Sequence, residues 1–593
     1  MMGAGSMEAD TDRRLPLAFY GGLLIRYLAP FRPKVALLAV LLLGDTVLRL
    51  VNPQILKRFI DAARIGGASE TLATMAVVFL VVVVVAQIVA GAATYLSQDV
   101  GWSTTNLLRA DLVHHCLHLD PPFYKEHAPG ELIARVDGDV ALLSNVLSAF
   151  IIRVLGNLLL LIGIIASIAR EDWRVGVALA AYTVGALWAL RRVQGRVVPS
   201  SVASRAAIAA LSGFWEEILA GTEDIRSSGA EAYTLGEQDR LLRALGRDGR
   251  RAMVMGRAFQ GVLEGFTAVG TALVFALGAS LLDTGAITIG GVFLIFYYTT
   301  ILTTNLGDLT AQLNDAQGAS AGLARIGALL ATRSVVADGP GIAVSPGPPS
   351  VAFREVTFGY DANVPVLRDV TLRLGAGRVL GVLGRTGGGK TTLARLLLRF
   401  YDPDRGAVLL GGVDIREMRL SDLRRRIALV TQDVQVVEAT VRDNLTFFGR
   451  DIPDDRLRHA IDELGLAGWY DGLSAGLDTL IAPGGLSAGE AQLLALTRIF
   501  LTEPDVVVLD EASSRLDPAT DSLLEAAIDR LLRDRTSIII AHRLASIQRA
   551  DEILIVDDGR IAEHGARAIL AADPTSHFAR LLRAGHHVQE TST

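Results

Sequence analysis

Apolar positions divide this chain into two regimes. Through the first 306 residues they gather into long, nearly uninterrupted runs. Val35–Val51 carries only Asp45 and Arg49 as charges, and Leu72–Tyr95 carries none. Further runs lie near Leu143–Ala169, Val175–Leu190, Phe259–Leu282 and Ile287–Leu306, the last two parted by the tight turn Asp283-Thr284-Gly285. A bilayer's hydrocarbon core of about 30 Å is crossed by about 20 apolar helical residues. The pattern therefore predicts six membrane-spanning helices with both chain termini on one side. Ahead of them, Pro16–Phe31 mixes apolar and basic residues, as an interfacial helix does. The segments between the second and third runs, and between the fourth and fifth, are too long and polar for plain loops. They predict helices that continue beyond the membrane.

The second regime begins after Ser334–Ser350, where Asp338-Gly339-Pro340 and Pro346-Gly347-Pro348-Pro349 break any periodic element. From Val351 onward short β-rich runs alternate with helical patterns, which predicts an α/β domain. The organisation expected is a tail and elbow helix over 1–34, an all-α six-helix transmembrane domain over 35–325 and a linker over 326–349. An α/β nucleotide-binding domain over 350–585 and a short tail over 586–593 follow.

Composition sharpens this division. Among 593 residues 51% are hydrophobic, yet 20% are charged, as expected for one membrane-embedded half and one water-exposed half. The net charge of -6 gives no reason to expect a nucleic-acid partner. A single cysteine, Cys116, excludes an intrachain disulfide. Met1–Leu15 lacks the apolar core of a signal peptide, so none is expected. Between the fourth and fifth runs ten arginines lie from Arg191 to Arg251, whereas the turn at 283–285 has none. By the positive-inside rule that segment, both termini and the second domain are expected in the cytoplasm, with the chain a multi-pass protein of the plasma membrane.

Gly384-Arg385-Thr386-Gly387-Gly388-Gly389-Lys390-Thr391 fits the pattern G-x-x-x-x-G-K-[ST], between the apolar run Val379–Leu383 and the helical pattern Leu393–Leu398. Glycines let such a loop wrap a phosphate with backbone N–H groups, and the helix start adds a positive dipole end. Lys390 is expected on the outer phosphates, the Thr391 hydroxyl on Mg²⁺, and Thr392 beside them. Val506-Val507-Val508-Leu509 leads into Asp510-Glu511. In a P-loop enzyme the first carboxylate holds Mg²⁺, and the second is placed to polarise the attacking water.

Leu486-Ser487-Ala488-Gly489-Glu490 resembles the L-S-G-G-Q signature of ABC ATPases, altered at two of five positions. In order around it, Tyr360 resembles the aromatic that stacks on adenine and Gln432 the Q-loop residue, a further Mg²⁺ ligand. Ser514-Arg515-Leu516-Asp517 resembles the D-loop, and His542 the switch histidine. Thr440–Leu445 and the hairpin Ile555–Ile561 are similar to further segments of these proteins. Asp120-Pro121-Pro122-Phe123-Tyr124, Gly130-Glu131-Leu132 and Gly221–Arg226 resemble their intracellular loops, the first of which would carry a coupling helix. Six spans fused to such a domain resemble an ABC half-transporter of the exporter fold.

That resemblance implies an ATPase that moves an unidentified substrate by alternating access. Catalytic roles fall to Glu511, His542, Lys390 and Gln432, and Ser487 and Gly489 cap a nucleotide across a dimer. It also makes the departures informative. Ala488 adds a methyl where the backbone should approach the γ-phosphate, and Glu490 brings an acid toward an anion. Because the P-loop side is intact, a heterodimer with a different half-transporter is favoured over a homodimer. Other readings are an importer of a siderophore or other small molecule on the same fold, and an ATP-gated or regulatory membrane protein. A soluble chromosome-maintenance ATPase would share the signature, but Leu72–Tyr95 argues against it.

Four charges lie in or beside the spans: Asp45, Arg49, Arg153 and Glu264. Such charges are functional candidates because lipid penalises them, although Asp45 and Arg49, at i and i+4, are spaced to neutralise each other. His114, His115, Cys116 and His118 have metal-ligating chemistry, but no second pair with zinc-like spacing accompanies them, which favours a polar helix face.

Overall fold

The computed structural model describes residue 22 and residues 25–149, 154, 156–361, 364–431, 434–449, 451–482, 484–510, 518–541 and 545–590. Arg153, Gln432, Glu511, Ser514–Asp517 and His542 fall outside these, as does most of the expected elbow helix. The chain divides into two compact units, one of Met1–His118 and His127–Arg333, the other of Leu119–Glu126 and Ser334–Thr593.

The first unit is helical. Its long helices are Arg32–Arg64, Ser69–His118, Trp173–Ala220, Glu231–Asp283 and Ile289–Ala331. Among the described residues five helices are long and apolar enough to cross a membrane. The remaining expected span, third in chain order, coincides with Val140–Ala149 and Gly156–Glu171, between which residues 150–153 and 155 are not described. The helices outrun a bilayer: at about 1.5 Å per residue, the 53-residue Glu231–Asp283 helix is about 80 Å long. This is the continuation beyond the membrane that the polar segments predict.

The packing follows four-residue spacing. Leu160, Ile164 and Ile168 meet Val175, Leu179, Ala186 and Leu190, while Leu294, Tyr298, Leu302 and Leu306 supply the facing stripe. Val77, Val78, Leu80 and Val81 on the charge-free helix are instead exposed, as a lipid-facing surface requires. Turns are pinned by polar caps. Asp172 accepts from the N–H of Arg174 at 2.7 Å, and Asp61 accepts from Thr288 at 2.8 Å and from the N–H of Gly290 at 2.9 Å. Gly290 is forced, because a Cβ there would lie 2.4 Å from the Lys57 carbonyl oxygen. Beyond the spans, Arg325 donates to both oxygens of the buried Asp139, at 2.8 and 2.5 Å.

The second unit contains twelve described strands. They are β1 (Val351–Phe358), β2 (Leu367–Leu374), β3 (Val379–Gly384), β4 (Arg405–Leu410), β5 (Val413–Asp414), β6 (Ile427–Val430), β7 (Ala439–Thr440), β8 (Leu480–Ile481), β9 (Val506–Asp510), β10 (Thr536–Ile540), β11 (Glu552–Asp557) and β12 (Arg560–Ala566). An antiparallel sheet runs β2-β1-β4-β5, a six-stranded sheet runs β12-β11-β3-β10-β9-β6, and β7 pairs with β8. In the six-stranded sheet every neighbour pair is parallel except β11 with β12. Strands buried on both faces are apolar throughout, which is why Val506–Leu509 reads as a continuous run.

The stretch Leu119–Glu126 packs with the second unit, although the sequence places it within the membrane half. It holds the short helix Pro121–Glu126, with Phe123 buried. Buried Asp120 anchors it: its Oδ2 accepts from Ser334 Oγ at 2.8 Å and from the N–H groups of Val335 and Val336 at 2.5 and 3.0 Å. Helix Ile289–Ala331 covers the start of the expected linker, and the units divide at Arg333/Ser334. Replacing Asp120 with alanine leaves these donors without their acceptor and is expected to cost about 2 kcal/mol. Thermal unfolding and limited proteolysis near residue 126 would measure that loss.

Candidate functional site

The parallel register brings the strand ends that precede the candidate residues to one edge of the sheet. Gly384 pairs with Val556, Ile540 pairs with both Val382 and Asp510, and Leu509 pairs with Val430. The carboxyl ends of β3, β10, β9 and β6 therefore lie side by side. The chain reaches Lys390, His542, Glu511 and Gln432 within six residues of those ends. Such a crevice beyond the strand ends is where ligands bind in open α/β sheets.

The loop after β3 is built by three glycines with positive φ: 146° at Gly384, 82° at Gly387 and 101° at Gly389. At Gly384 a Cβ would lie 2.0 Å from the Val556 carbonyl oxygen, so the loop crosses β11 only with glycine there. Gly389 is the left-handed N-cap of the helix Lys390–Leu397, whose buried face is Leu393, Ala394, Leu396 and Leu397. Lys390 is buried, and its ammonium donates to the carbonyls of Gly384 at 2.8 Å and Arg385 at 2.9 Å. The cation is thus held over its own loop, at the end of a helix whose dipole also favours an anion. Thr391 is exposed at the helix start, and Asp510 is half-buried at the end of β9. Oxygen donors of this kind fit a hard cation such as Mg²⁺.

Tyr360 has more neighbours than the sequence indicates. Its hydroxyl lies 3.2 Å from Thr392 Oγ1 and accepts from Arg395 at 3.0 Å. Its ring packs edge-on with Phe358 and Tyr401 at 5.1 and 5.2 Å. Burial raises the Tyr401 phenol above its ordinary range. Lys125, from the helix Pro121–Glu126, sits 4.9 Å from the Tyr360 ring centroid, a cation–π contact. Sequence reading missed Lys125 and Arg395, because nothing in their spacing marks them as neighbours of an aromatic 235 or 35 residues away.

Ser487 is the N-cap of the helix Ala488–Phe500, and its hydroxyl accepts from the Glu490 N–H at 3.3 Å. Glu490 reaches back, and its Oε2 accepts from the Ser487 N–H at 2.8 Å. This capping box is the local reason for an acid at that position, and it holds a carboxylate at the positive end of the helix. Half-buried Arg498, in the last turn of the helix, donates to the Asn444 carbonyl at 2.8 Å and lies 4.0 Å from the Phe447 ring centroid. Burial pushes its guanidinium down to about 10. The signature helix is thereby tied to the Thr440–Leu445 segment, itself a capping box of Thr440 and Asp443.

In the first unit Arg49 pairs with Asp45 at 2.8 Å, and Glu264 accepts from Gln260 at 3.3 Å. His115 Nε2 lies 3.0 Å from the Leu329 carbonyl oxygen, and His118 Nδ1 lies 2.8 Å from that of His114. No group of three potential metal ligands gathers among the described residues.

Residues 35–306 match the model of the ABC transporter transmembrane region, and residues 367–514 match that of the ABC transporter. The chain is 30% identical over 576 residues to an ATP-dependent lipid A-core flippase of Thiobacillus denitrificans, spanning 95% of this chain and 97% of that protein. It is also 30% identical over 568 residues to a multidrug efflux ATP-binding/permease protein of Mycobacterium bovis, covering 94% of this chain and 47% of that one. Among solved structures, a bacterial Atm1-family ABC exporter with ATP bound shares the fold. Its TM-score is 0.79 at 24% identity, with 94% of this chain and 98% of that chain covered.

Proposed function

The chain belongs to the ABC transporter family, as a half-transporter that couples ATP hydrolysis to transport, and on that premise we propose that it is one half of a heterodimeric exporter. The observation that carries the proposal is an asymmetry. The P-loop keeps its motif residues, with Gly384, Gly387 and Gly389 at positive φ and Lys390 over the loop carbonyls, whereas Glu490 already occupies the start of the signature helix. A carboxylate held there opposes a triphosphate both by charge and by competing for the helix end. Ala488 adds a methyl to the same surface.

Each half of such a dimer lends its signature to the other's P-loop. This chain's P-loop, with Glu511 as the base, would form the hydrolysing site against an intact signature from the partner. Its own Ser487-Ala488-Gly489-Glu490 would cover a weaker site. At the hydrolysing site Lys390 and the loop N–H groups hold the phosphates, Tyr360 stacks on adenine, and Gln432 and His542 orient the outer phosphate. Thr391, Asp510 and Gln432 would hold Mg²⁺, which when bound neutralises charge on the outer phosphates. Closure of the two nucleotide domains would pass through helices such as Pro121–Glu126 to turn the spans from inward- to outward-facing. The arginine-rich segment would place the nucleotide domain and both termini in the cytoplasm, at the inner membrane.

Purifying the chain alone tests this reading. Self-paired, every site would meet the altered signature, so ATPase activity is expected to be low. The double variant Ala488→Gly, Glu490→Gln, which keeps a capping residue at position 490, is expected to raise it at least about tenfold, roughly 1.4 kcal/mol. Full substrate-stimulated activity of the unaltered chain alone would sink the heterodimer.

A further inference from the structure

We propose that the membrane unit contains a binding site for the ammonium group of an amphipathic amine that also carries a hydrogen-bond acceptor. The proposal names a substrate class for the transport reading above and rests on it. The site is a cavity of about 180 Å³ between the helices Arg32–Arg64, Gly156–Glu171 and Ile289–Ala331, with Asp45, Arg49, Asn157, Asn305 and Asp308 in its wall. Apolar packing between the spans accounts for none of Asn157, Asn305 and Asp308, and the pairing of Asp45 with Arg49 leaves one carboxylate oxygen over. Polar groups at this depth are expensive and by default mark a pathway.

Two of them are not satisfied by the protein. Asn305 is only 8% exposed, and its Nδ2 is buried without a hydrogen-bond partner. Asp45 gives Oδ2 to Arg49 at 2.8 Å, while its Oδ1 is likewise buried without a partner. The nearby Thr46 hydroxyl cannot serve, since it donates to the Leu42 carbonyl at 2.8 Å. The wall thus presents one unmet acceptor on a carboxylate and one unmet amide donor. Buried polar atoms are ordinarily paired, so a ligand offering both a donor and an acceptor is what completes the site.

Charge decides which donor. Among the described lining residues Asp45 and Arg49 cancel, and Asp308, exposed at the cavity, leaves one negative charge over. A cation is attracted and an anion repelled. The volume exceeds one water's share of about 30 Å³ several-fold, enough for an ammonium head with adjoining carbons. Position decides the amphipathic character. Asn305 lies 17 residues beyond the N-cap Thr288, about 25 Å along a helix that crosses about 30 Å of hydrocarbon. A polar head bound there sits near one face of the bilayer, with its apolar remainder toward the core.

The test uses the full chain in phosphatidylcholine nanodiscs without ATP and dansylcadaverine as probe, a primary amine with sulfonyl acceptors and an environment-sensitive ring. Saturable binding is expected, weakened at least tenfold by Asp308→Asn and by Asn305→Leu, and equally by N-acetylation of the probe. Size-exclusion profile and thermal midpoint report whether each variant is folded. Asp308→Asn, isosteric at an exposed position, carries the test if Asn305→Leu is not. Nanodiscs containing phosphatidylethanolamine distinguish the source: competition there marks a lipid headgroup, and its absence a free amine. Equal binding of the acetylated probe, or affinities within twofold of the unaltered chain in the folded variants, would overturn the site. Because no turnover is read, that result is separate from failure of the heterodimer.

Discussion

Glu511→Gln in the assembled transporter is expected to retain ATP binding and to lose most turnover, by 10²- to 10⁴-fold, the range for removing a general base. The amide keeps the size of the carboxylate but cannot take a proton from the attacking water. Glu511 directly follows Asp510, which closes β9 beside Ile540 of β10. Phosphates held at the loop after β3 are one strand away from β10 and two from β9. The base role is therefore assigned from the position of Glu511 in the chain, one residue beyond the end of β9 on the edge of the sheet that also carries the loop after β3. Steady-state ATPase alongside equilibrium binding of a fluorescent ATP analogue separates the two effects. Near-normal hydrolysis with intact binding would remove Glu511 from the base role.

Gly389→Ala is expected to weaken ATP binding by about 10²-fold. At φ 101° a side chain is strained, and the added Cβ would lie 2.6 Å from Leu367 Cδ2 and 3.3 Å from the Val366 carbonyl oxygen. The backbone term is about 1–2 kcal/mol and the packing term about 1–3 kcal/mol. Relief requires the loop to shift, which moves the N–H groups and Lys390 together. Gly412, also at positive φ but with open space around its Cβ, is the matched control and should leave binding nearly unchanged as Gly412→Ala. Equal affinities for the Gly389 variant and its control would show that the loop does not need this conformation to hold phosphate.

The same comparison explains why Lys390 and Asp510 are legible from sequence while Lys125 is not. A strand–loop–helix motif is local. Its apolar run, its glycines and its lysine are bound by chain geometry to lie together, so spacing alone indicates a phosphate site. The contact between Lys125 and Tyr360 joins residues 235 positions apart, and no periodicity encodes it. Glu490 shows a subtler limit. Its charge could be read as unfavourable for a nucleotide, but its role in satisfying the Ser487 N–H follows only from the helix starting where it does.

By itself, then, the sequence determined the two regimes, the long apolar helices, the α/β character of the second domain and the glycine-rich loop between a strand and a helix. Each depends on contacts within about ten residues or on a repeat of fixed period. Only the tertiary structure decided that Leu119–Glu126 belongs with the nucleotide domain, because Asp120 needs N–H donors that arrive more than 200 residues later. Only it, too, gathered Asp45, Asn157, Asn305 and Asp308 around one cavity. Residues on three separate helices become neighbours through the helices' rotation and crossing, and these are set by the packing of whole faces.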